Sequence, residues 1–224
     1  MVAAIDEASR LMRQDWPARL RASLSFARYR CLSLQGRSEE ALLAAQEQVA
    51  ISRETGDVAG AQLPFSNVAG AEIDLGRFED ALAHAQEAIA RLHEHGADAG
   101  AGHLYGVATI ALIELERFDE ALVAGRAAYY RLLQEDDECR LLVPFAVLTA
   151  RRGRYADAAR ILGFEQALRS GHGAAMRPNA RRLETQLDQL LARTLSPAEI
   201  EKLGAQGAAM RKPEVFKLAL DNDA

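Results

Sequence analysis

The chain has 224 residues, of which 49% are hydrophobic and only 6% aromatic, and its formal net charge is −5. Long runs of Ala, Leu, Glu, Arg and Gln, without strand-like alternation of Val, Ile and Thr, exclude an all-β fold and indicate an all-α protein. No window approaches the run of about 18 apolar residues that spans a bilayer, and the first residues lack a secretion-signal pattern. We therefore expect a cytoplasmic protein without membrane contact.

Charge is distributed unevenly along the chain. Residues 38–150 are strongly acidic, whereas 1–37 and 151–217 are basic. Because an acidic middle repels nucleic acid, we expect no direct nucleic-acid binding, although a basic end is suited to a phosphate or an acidic partner domain. The simpler interpretation is that these charges cover the solvated faces of helices.

One eight-residue pattern recurs at nearly regular spacing. Its clearest copy is Leu75-Gly76-Arg77-Phe78-Glu79-Asp80-Ala81-Leu82, and the turn residues of the other copies are Gly36, Glu116 and Gly153, at successive offsets of forty, forty and thirty-seven. A fixed period of this size, filled with helix-forming residues, indicates stacked helical hairpins. Glycine permits a tight reversal, the aromatic fills the gap between two helices, and the alanine lets their axes approach.

Glu116 departs from this pattern, because the other three copies have glycine at its position. A left-handed backbone conformation is costly for a residue with a Cβ atom. We therefore expect the third turn to continue as helix for one residue, or to lack the left-handed position.

The predicted elements fall into three parts: a partial repeat or N-terminal capping helix over 1–17, a repeat array over 18–170, and a linker with a helical C-terminal cap over 171–224. Within the array the pattern predicts helices over 18–34, 38–55, 58–75, 78–95, 100–115, 118–134, 138–152 and 155–170. After a linker at 171–178, three helices are predicted. The first covers 179–195, the second begins directly after Ser196, and the third covers 214–220. A repeat array needs such an end-piece to cover its last apolar face.

Hairpins with a small turn residue, an aromatic and an alanine resemble tetratricopeptide repeats. The residues that match this family are Phe65, Val68, Ala69, Phe78, Ala81 and Ala88 around Gly76, and Leu142, Phe145, Ala146, Tyr155 and Ala158 around Gly153. The period of forty is longer than the family's usual 34. It is similar to that of the C-terminal arms of bacterial signal-transduction ATPases that regulate transcription. Phrases such as Ile51-Ser52-Arg53-Glu54-Thr55-Gly56-Asp57 and Gly207-Ala208-Ala209-Met210-Arg211 resemble those arms as well.

This resemblance implies a tetratricopeptide-like superhelix of about four hairpins. It also implies a protein- or effector-binding sensor arm of a bacterial transcriptional regulator, whose ATPase and winged-helix DNA-binding domains lie in the same polypeptide outside these residues. A protein, a peptide or a small effector would bind in the concave groove lined by the first helix of each hairpin. The family alignment places these residues in the groove: Phe26, Arg30, Ser33, Ser66, Ile73, Asp74, His103, Ile110, Glu114, Val147 and Arg151.

Motifs for catalysis or cofactor binding are missing from the sequence. None of the three lysines follows a glycine, so there is no phosphate-binding loop, and no serine or cysteine lies in a nucleophile motif. Side chains two residues apart on a helix, such as His93 and His95, point in different directions. The acidic run 135–138 lacks the spacing of a calcium loop. We predict no enzyme activity, no cofactor and no metal site, and we interpret Cys31 and Cys139 as packing residues.

Two other classes of function remain open. One is a free-standing tetratricopeptide adaptor or dimerisation module that has no role in transcription. The other is a metal-dependent enzyme, which would be recognised by about one bound metal per chain.

Overall fold

The computed structural model describes residues 2–55, 62–96, 100–172 and 178–221, and the regular elements in these segments are all helical. The helices are α1 (Val2–Leu11), α2 (Ala18–Leu34), α3 (Ser38–Thr55), α4 (Gln62–Asp74), α5 (Phe78–Glu94), α6 (Ala101–Glu114), α7 (Phe118–Leu132), α8 (Leu142–Arg151), α9 (Tyr155–His172), α10 (Pro178–Ala192), α11 (Pro197–Ala208) and α12 (Lys212–Leu220). Short 3-10 segments at Leu133–Glu135 and Glu138–Leu141 separate α7 from α8.

Most of these boundaries lie within three residues of the predicted ones, and the predicted start of α4 at residue 58 lies outside the described residues. Two further differences have a physical cause. The first α-helical residue of α8 is Leu142, because residues 138–141 form a 3-10 turn. The predicted linker at 171–178 is too long: α9 continues through His172, α10 begins at Pro178, and 173–177 lie outside the described residues. A glycine weakens a helix by only about 1 kcal/mol, which is too little to end one that packs along its length.

The four hairpin turns share one backbone geometry. The residues at the glycine position have positive φ: 74° at Gly36, 75° at Gly76, 58° at Glu116 and 83° at Gly153. In the second turn the N–H of Gly76 donates to the carbonyl of Ile73 (3.1 Å), and the N–H of Arg77 donates to that of Glu72 (2.9 Å). The other three turns have the same two hydrogen bonds. This Schellman motif satisfies the last carbonyls of each first helix.

The prediction for Glu116 is therefore wrong. Its backbone is left-handed like that of the three glycines, and both hydrogen bonds of the motif form, from Glu116 to Ile113 (3.1 Å) and from Arg117 to Leu112 (2.9 Å). Glu116 therefore has a conformation that is strained for a residue with a Cβ atom.

The alanine of the repeat packs as predicted. Ala41, Ala81, Ala121 and Ala158 are all 0% exposed. Side chains of this size let paired helices approach closely, and within each unit described below α2 packs on α3, α4 on α5 and α8 on α9.

The chain divides into two compact units, unit 1 (Met1–Ala111) and unit 2 (Leu112–Ala224). One core cluster of unit 1 joins α2, α3 and α4 around Tyr29, which is 2% exposed. A second cluster joins α5 and α6 around Leu92 and Leu104. Two polar contacts join α4 to its neighbours: Asn67 donates to Gln48 of α3 in the core (3.1 Å), and Glu72 lies 2.8 Å from the partly exposed His84 of α5.

Unit 2 contains the hairpin of α8 and α9 and the C-terminal helices α10, α11 and α12. Glycines bring α9 and α11 into backbone contact. A Cβ atom on Gly207 would lie 1.9 Å from the carbonyl oxygen of Arg160, and one on Gly163 would lie 2.2 Å from that of Gly204. Since no larger side chain fits between these backbones, the glycines set the position of α11.

Helix α12 is anchored to unit 2 at both ends and in its middle. The Lys212 ammonium lies 2.6 Å from the carboxylate of Glu138, which is 0% exposed. Phe216, in the middle of the helix, packs against Tyr129 with ring centroids 4.6 Å apart. At the other end the guanidinium of Arg126 donates to the carbonyl of Leu220 (2.5 Å), as a cation at a helix C-terminus should.

No helix within the described segments is both long enough and apolar enough to cross a membrane.

Candidate functional site

The eleven predicted groove residues are distributed over first helices in both units. Unit 1 contains Phe26, Arg30 and Ser33 on α2, Ser66, Ile73 and Asp74 on α4, and His103 and Ile110 on α6. Unit 2 contains Glu114 at the end of α6, and Val147 and Arg151 on α8. Each unit is described by itself below.

Four of the eleven residues do not offer a side chain to a partner. Ile73 and Val147 are 0% exposed, Ser33 is 4% and Ser66 is 9% exposed. Ser33 and Ile73 share one repeat position, three residues before the turn residue, with Ile113 and Ala150, and all four members are at most 4% exposed. That position faces the core in every copy, so its side chains are not available to a partner in this structure.

The first-helix surface of unit 1 is accessible. The Arg30 side chain is exposed and its guanidinium lies 5.8 Å from the ring centroid of Phe26. The Ser33 hydroxyl donates to the carboxylate of Asp74 (3.4 Å), which links α2 to α4. Leu34, which the sequence analysis missed, is 42% exposed on the same helix. We call the surface formed by Phe26, Arg30 and Leu34 of α2 and Asp74 of α4 the unit 1 face.

In unit 2 the corresponding surface is covered by α10. The guanidinium of Arg182 lies 3.0 Å from the carboxylate of Glu114, and the amide of Gln186 donates to the same carboxylate at 3.3 Å. The Glu114 side chain is only 10% exposed. Leucines at positions 183, 187 and 191 of α10, all at most 1% exposed, form the apolar stripe of the helix, which packs on α8.

A second charged contact joins α10 to α9. The guanidinium of Arg169 donates to both carboxylate oxygens of Glu184, at 3.2 and 2.7 Å, and these hydrogen bonds hold the pKa of Glu184 below its ordinary value. Burial raises the pKa of the neighbouring Glu165 and also that of Asp188. The α9–α10 interface therefore contains one carboxylate that is stabilised as an ion and two carboxyls that are destabilised as ions.

Arg151 lies apart from the α10 contact. It borders an open depression of about 430 Å³ at the third turn, together with Arg152, Phe118 and Asp119. The ion pair between Arg117 and Glu120 (2.6 Å) occupies part of this depression, so it presents charges of both signs. Because charges of both signs line the depression, its charge does not favour one class of ligand.

The side chains considered as metal ligands have other contacts. Nδ1 of His84 lies 2.8 Å from the Glu72 carboxylate, and Nδ1 of His95 lies 2.8 Å from the carbonyl oxygen of Arg91. Within the acidic run at 135–138, Glu138 is buried beside Lys212 instead of solvated. Among the described residues, no group of three or more His, Cys, Asp or Glu side chains is arranged to hold a metal ion. Cys31 and Cys139 are free thiols.

Comparison of the sequence with protein-family models found no match, and comparison with curated proteins found none either.

Proposed function

We propose that the chain is a tetratricopeptide-like binding arm of a bacterial transcriptional regulator, and that it acts by recognition and not by catalysis. The support is the hairpin repeat with its forty-residue period and four Schellman turns, together with the sequence phrases that resemble such arms. A partner or effector acts by binding more tightly to one state of the regulator than to the other.

The unit 1 face is the proposed binding surface, and one observation carries this assignment. Arg30, Ile110 and Val147 share the repeat position six residues before the turn residue. Val147 is buried on α8, on which α10 packs, and Gly70 of unit 1 is also buried at this position, whereas Arg30 is exposed and Ile110 is half-buried. A surface with half-buried apolar side chains and charges of both signs suits a protein or peptide partner.

The first test is genetic. The proposal requires that the coding sequence upstream of Met1 encode a phosphate-binding loop and a winged helix. Signal-dependent transcription is then measured in cells that carry the complete gene with Arg30→Glu and Leu34→Glu. Both side chains are exposed, so the fold is retained, and we expect at least a tenfold loss of the response.

The matched control is Leu43→Glu, because Leu43 is 63% exposed on α3, a second helix of the hairpin. This variant should respond like the wild type. A full response from the face variant, or an equal loss in the control, would contradict the proposed function.

One observation favours the alternative of a dimerisation module. Helix α7 and its extension present three exposed apolar side chains in a row: Val123 is 68%, Tyr130 is 62% and Leu133 is 46% exposed. A spacing of seven and three residues places them on one side of a helix. Sedimentation of the chain over a hundredfold concentration range, with Tyr130→Glu as the variant, decides this alternative. A single monomeric species at every concentration would eliminate it.

A further inference from the structure

Helix α12 is held by side chains from an earlier part of unit 2. The ring of Phe216 is 1% exposed, and its centroid lies 4.6 Å from that of Tyr129 on α7 and 6.2 Å from that of Phe145 on α8. One turn earlier the Lys212 ammonium lies 2.6 Å from the carboxylate of Glu138. Both oxygens of this carboxylate are buried, and no other described group donates a hydrogen bond to them. Because a buried carboxylate is costly without a cation, this place requires the lysine.

The C-terminal end of α12 is held through its backbone. The guanidinium of Arg126 donates to the carbonyl of Leu220 (2.5 Å), and that of Arg154 donates to the carbonyl of Asp221 (3.1 Å). Since every residue has a carbonyl group, the sequence of the helix is recognised mainly through its lysine and its phenylalanine, which lie four residues apart on one face. We call the groups that hold the helix the α12 site: Arg126, Tyr129, Glu138, Phe145 and Arg154.

Helix α12 has an N-terminal cap of its own. The carboxylate of Glu214 accepts a hydrogen bond from the backbone N–H of Arg211 (3.0 Å), and Pro213 lies in the first turn. Both are features of a helix start that depends on neighbouring residues alone. The helix therefore keeps its cap when it moves to another α12 site.

Residues 209–211 connect α11 to α12. Ala209 and Arg211 are exposed, whereas α11 is fixed on α9 by the backbone contacts of Gly163 and Gly207. Since α11 is fixed, any displacement of α12 has to occur about these three residues. A short connection of this kind favours the exchange of a terminal helix between two copies of a chain.

We propose that two copies of the chain exchange α12, so that each helix occupies the α12 site of the other copy. A second copy is the occupant that fits, because it carries the lysine and the phenylalanine at the spacing that the site already accepts. The exchanged dimer retains the ion pair, the ring contacts and both carbonyl hydrogen bonds, and only the connection at 209–211 changes conformation. It does not use the exposed apolar side chains of α7.

Two variants with complementary charges test the exchange. Glu138→Lys places two ammonium groups in the α12 site of its own chain, and Lys212→Glu places two carboxylates there. When the two chains are mixed, exchange brings opposite charges together in both sites. We expect sedimentation equilibrium of an equimolar mixture to give a dimer whose dissociation constant is at least tenfold lower than that of either variant alone. Two folded variants that remain monomeric when mixed would overturn the inference.

A peptide gives a second test, which does not require Glu138→Lys to fold. The Lys212 side chain is 40% exposed, so the chain tolerates Lys212→Glu, and the like charges then displace its own α12. A fluorescently labelled peptide of residues 209–221 should bind this chain saturably, as followed by anisotropy. The peptide with Lys212→Glu should bind at least tenfold more weakly, whereas the peptide with Lys217→Glu, a change at an exposed residue, should bind like the wild-type peptide. Absence of saturable binding, or equal binding of the three peptides, would also overturn the inference.

The wild-type chain distinguishes this dimer from one that forms through α7. Sedimentation over a hundredfold concentration range should show a dimer that Tyr130→Glu retains and Lys212→Glu lacks. The opposite behaviour would assign the dimer to α7 and overturn the inference, and so would a wild-type chain that is monomeric throughout. The proposed function is tested on residues of unit 1, so it can survive or fail independently of this dimer.

Discussion

The two units place the same repeat position in different environments. Six residues before the turn residue, Arg30 of unit 1 is exposed and Ile110 is half-buried, whereas Gly70 of unit 1 is buried and Val147 of unit 2 is 0% exposed. The turns that follow them are the same, with Schellman hydrogen bonds and positive φ at Gly36 and Gly153. The hairpin geometry therefore does not decide which surface is open. In unit 2, α10 packs on α8, the first helix that contains Val147.

The largest effect is expected from the glycines that set the position of α11. Gly207→Ala places a Cβ atom 1.9 Å from the backbone oxygen of Arg160, and neither backbone can move without separating α9 from α11. We expect a loss of about 3 kcal/mol in the free energy of unfolding. Urea unfolding measures the loss, and hydrogen exchange should show it in unit 2 with unit 1 unchanged.

Gly204→Ala is the control for this prediction. The nearest atom to its added Cβ is 4.0 Å away, an ordinary contact, so the free energy of unfolding should rise by up to about 1 kcal/mol through helix propensity. Equal losses in both variants would show that α11 does not depend on the close approach at Gly207.

The next effect concerns the ion pair that anchors α12. Lys212→Met leaves the fully buried Glu138 carboxylate without its cation. We expect the free energy of unfolding to fall by about 2 kcal/mol, which is less than for a fully buried pair because Lys212 is 40% exposed. The Glu138 carboxylate raises the pKa of Lys212, so this stabilisation is complete below the ordinary lysine pKa of about 10.4 and is lost as pH rises through the folded value.

Thermal unfolding of Lys212→Met and of Lys217→Met at pH 7 checks this prediction. Lys217 is exposed on the same helix and should be replaceable without loss. A wild-type midpoint for Lys212→Met would mean that the ion pair does not hold α12.

A smaller effect tests the contact between α9 and α10. Burial raises the pKa of Glu165, which means that its ionised form destabilises the fold, so Glu165→Gln should raise the free energy of unfolding by about 1 kcal/mol at pH 7. The gain should vanish below about pH 4, where the wild-type carboxyl is protonated in both states. Urea unfolding at pH 7 and at pH 4 measures the difference.

Glu184→Gln should act in the opposite direction at the same interface. The hydrogen bonds from Arg169 lower the pKa of Glu184, so its stabilisation is present above the ordinary value of 4.5 and is lost as pH falls through the folded value. We expect a loss of about 1 kcal/mol at pH 7. Losses of equal size in Glu165→Gln and Glu184→Gln would contradict the assignment of opposite roles.

The smallest effect compares two turns, one from each unit. The left-handed backbone is strained at Glu116 (φ 58°), which has a Cβ atom, and is not strained at Gly76 (φ 75°), which has none. Glu116→Gly should therefore raise the free energy of unfolding by up to about 1 kcal/mol, whereas Gly76→Ala should lower it by about the same amount. Chemical denaturation of the two variants checks the signs, and two effects of the same sign would contradict the shared turn geometry.

Local features of the fold could be predicted from the sequence because they depend on neighbouring residues. The repeat predicted α2 and α3 to the residue, and the serine N-cap predicted α11, where Ser196 accepts from the N–H of Glu199 (3.3 Å). The conformation of Glu116 could not be predicted, since the residue's own backbone preference opposes it.

The candidate site was predicted less well, because exposure depends on distant parts of the chain. Nothing near Val147 indicates that α10 will pack on its helix, and the pairing of Glu114 with Arg182 joins residues far apart in sequence. The burial of Ser33 and Ile73 could have been predicted from the sequence. The position three residues before each turn residue holds small or apolar side chains in all four copies.

The most direct test compares one repeat position at two places, open at Arg30 of unit 1 and closed at Val147 of unit 2. Single cysteines at Arg30→Cys and Val147→Cys, in a background in which Cys31 and Cys139 are replaced by serine, are reacted with a maleimide under native conditions. The account predicts that Arg30→Cys reacts at close to the rate of a free thiol, while Val147→Cys is protected by at least a hundredfold. Equal rates at the two positions would contradict it.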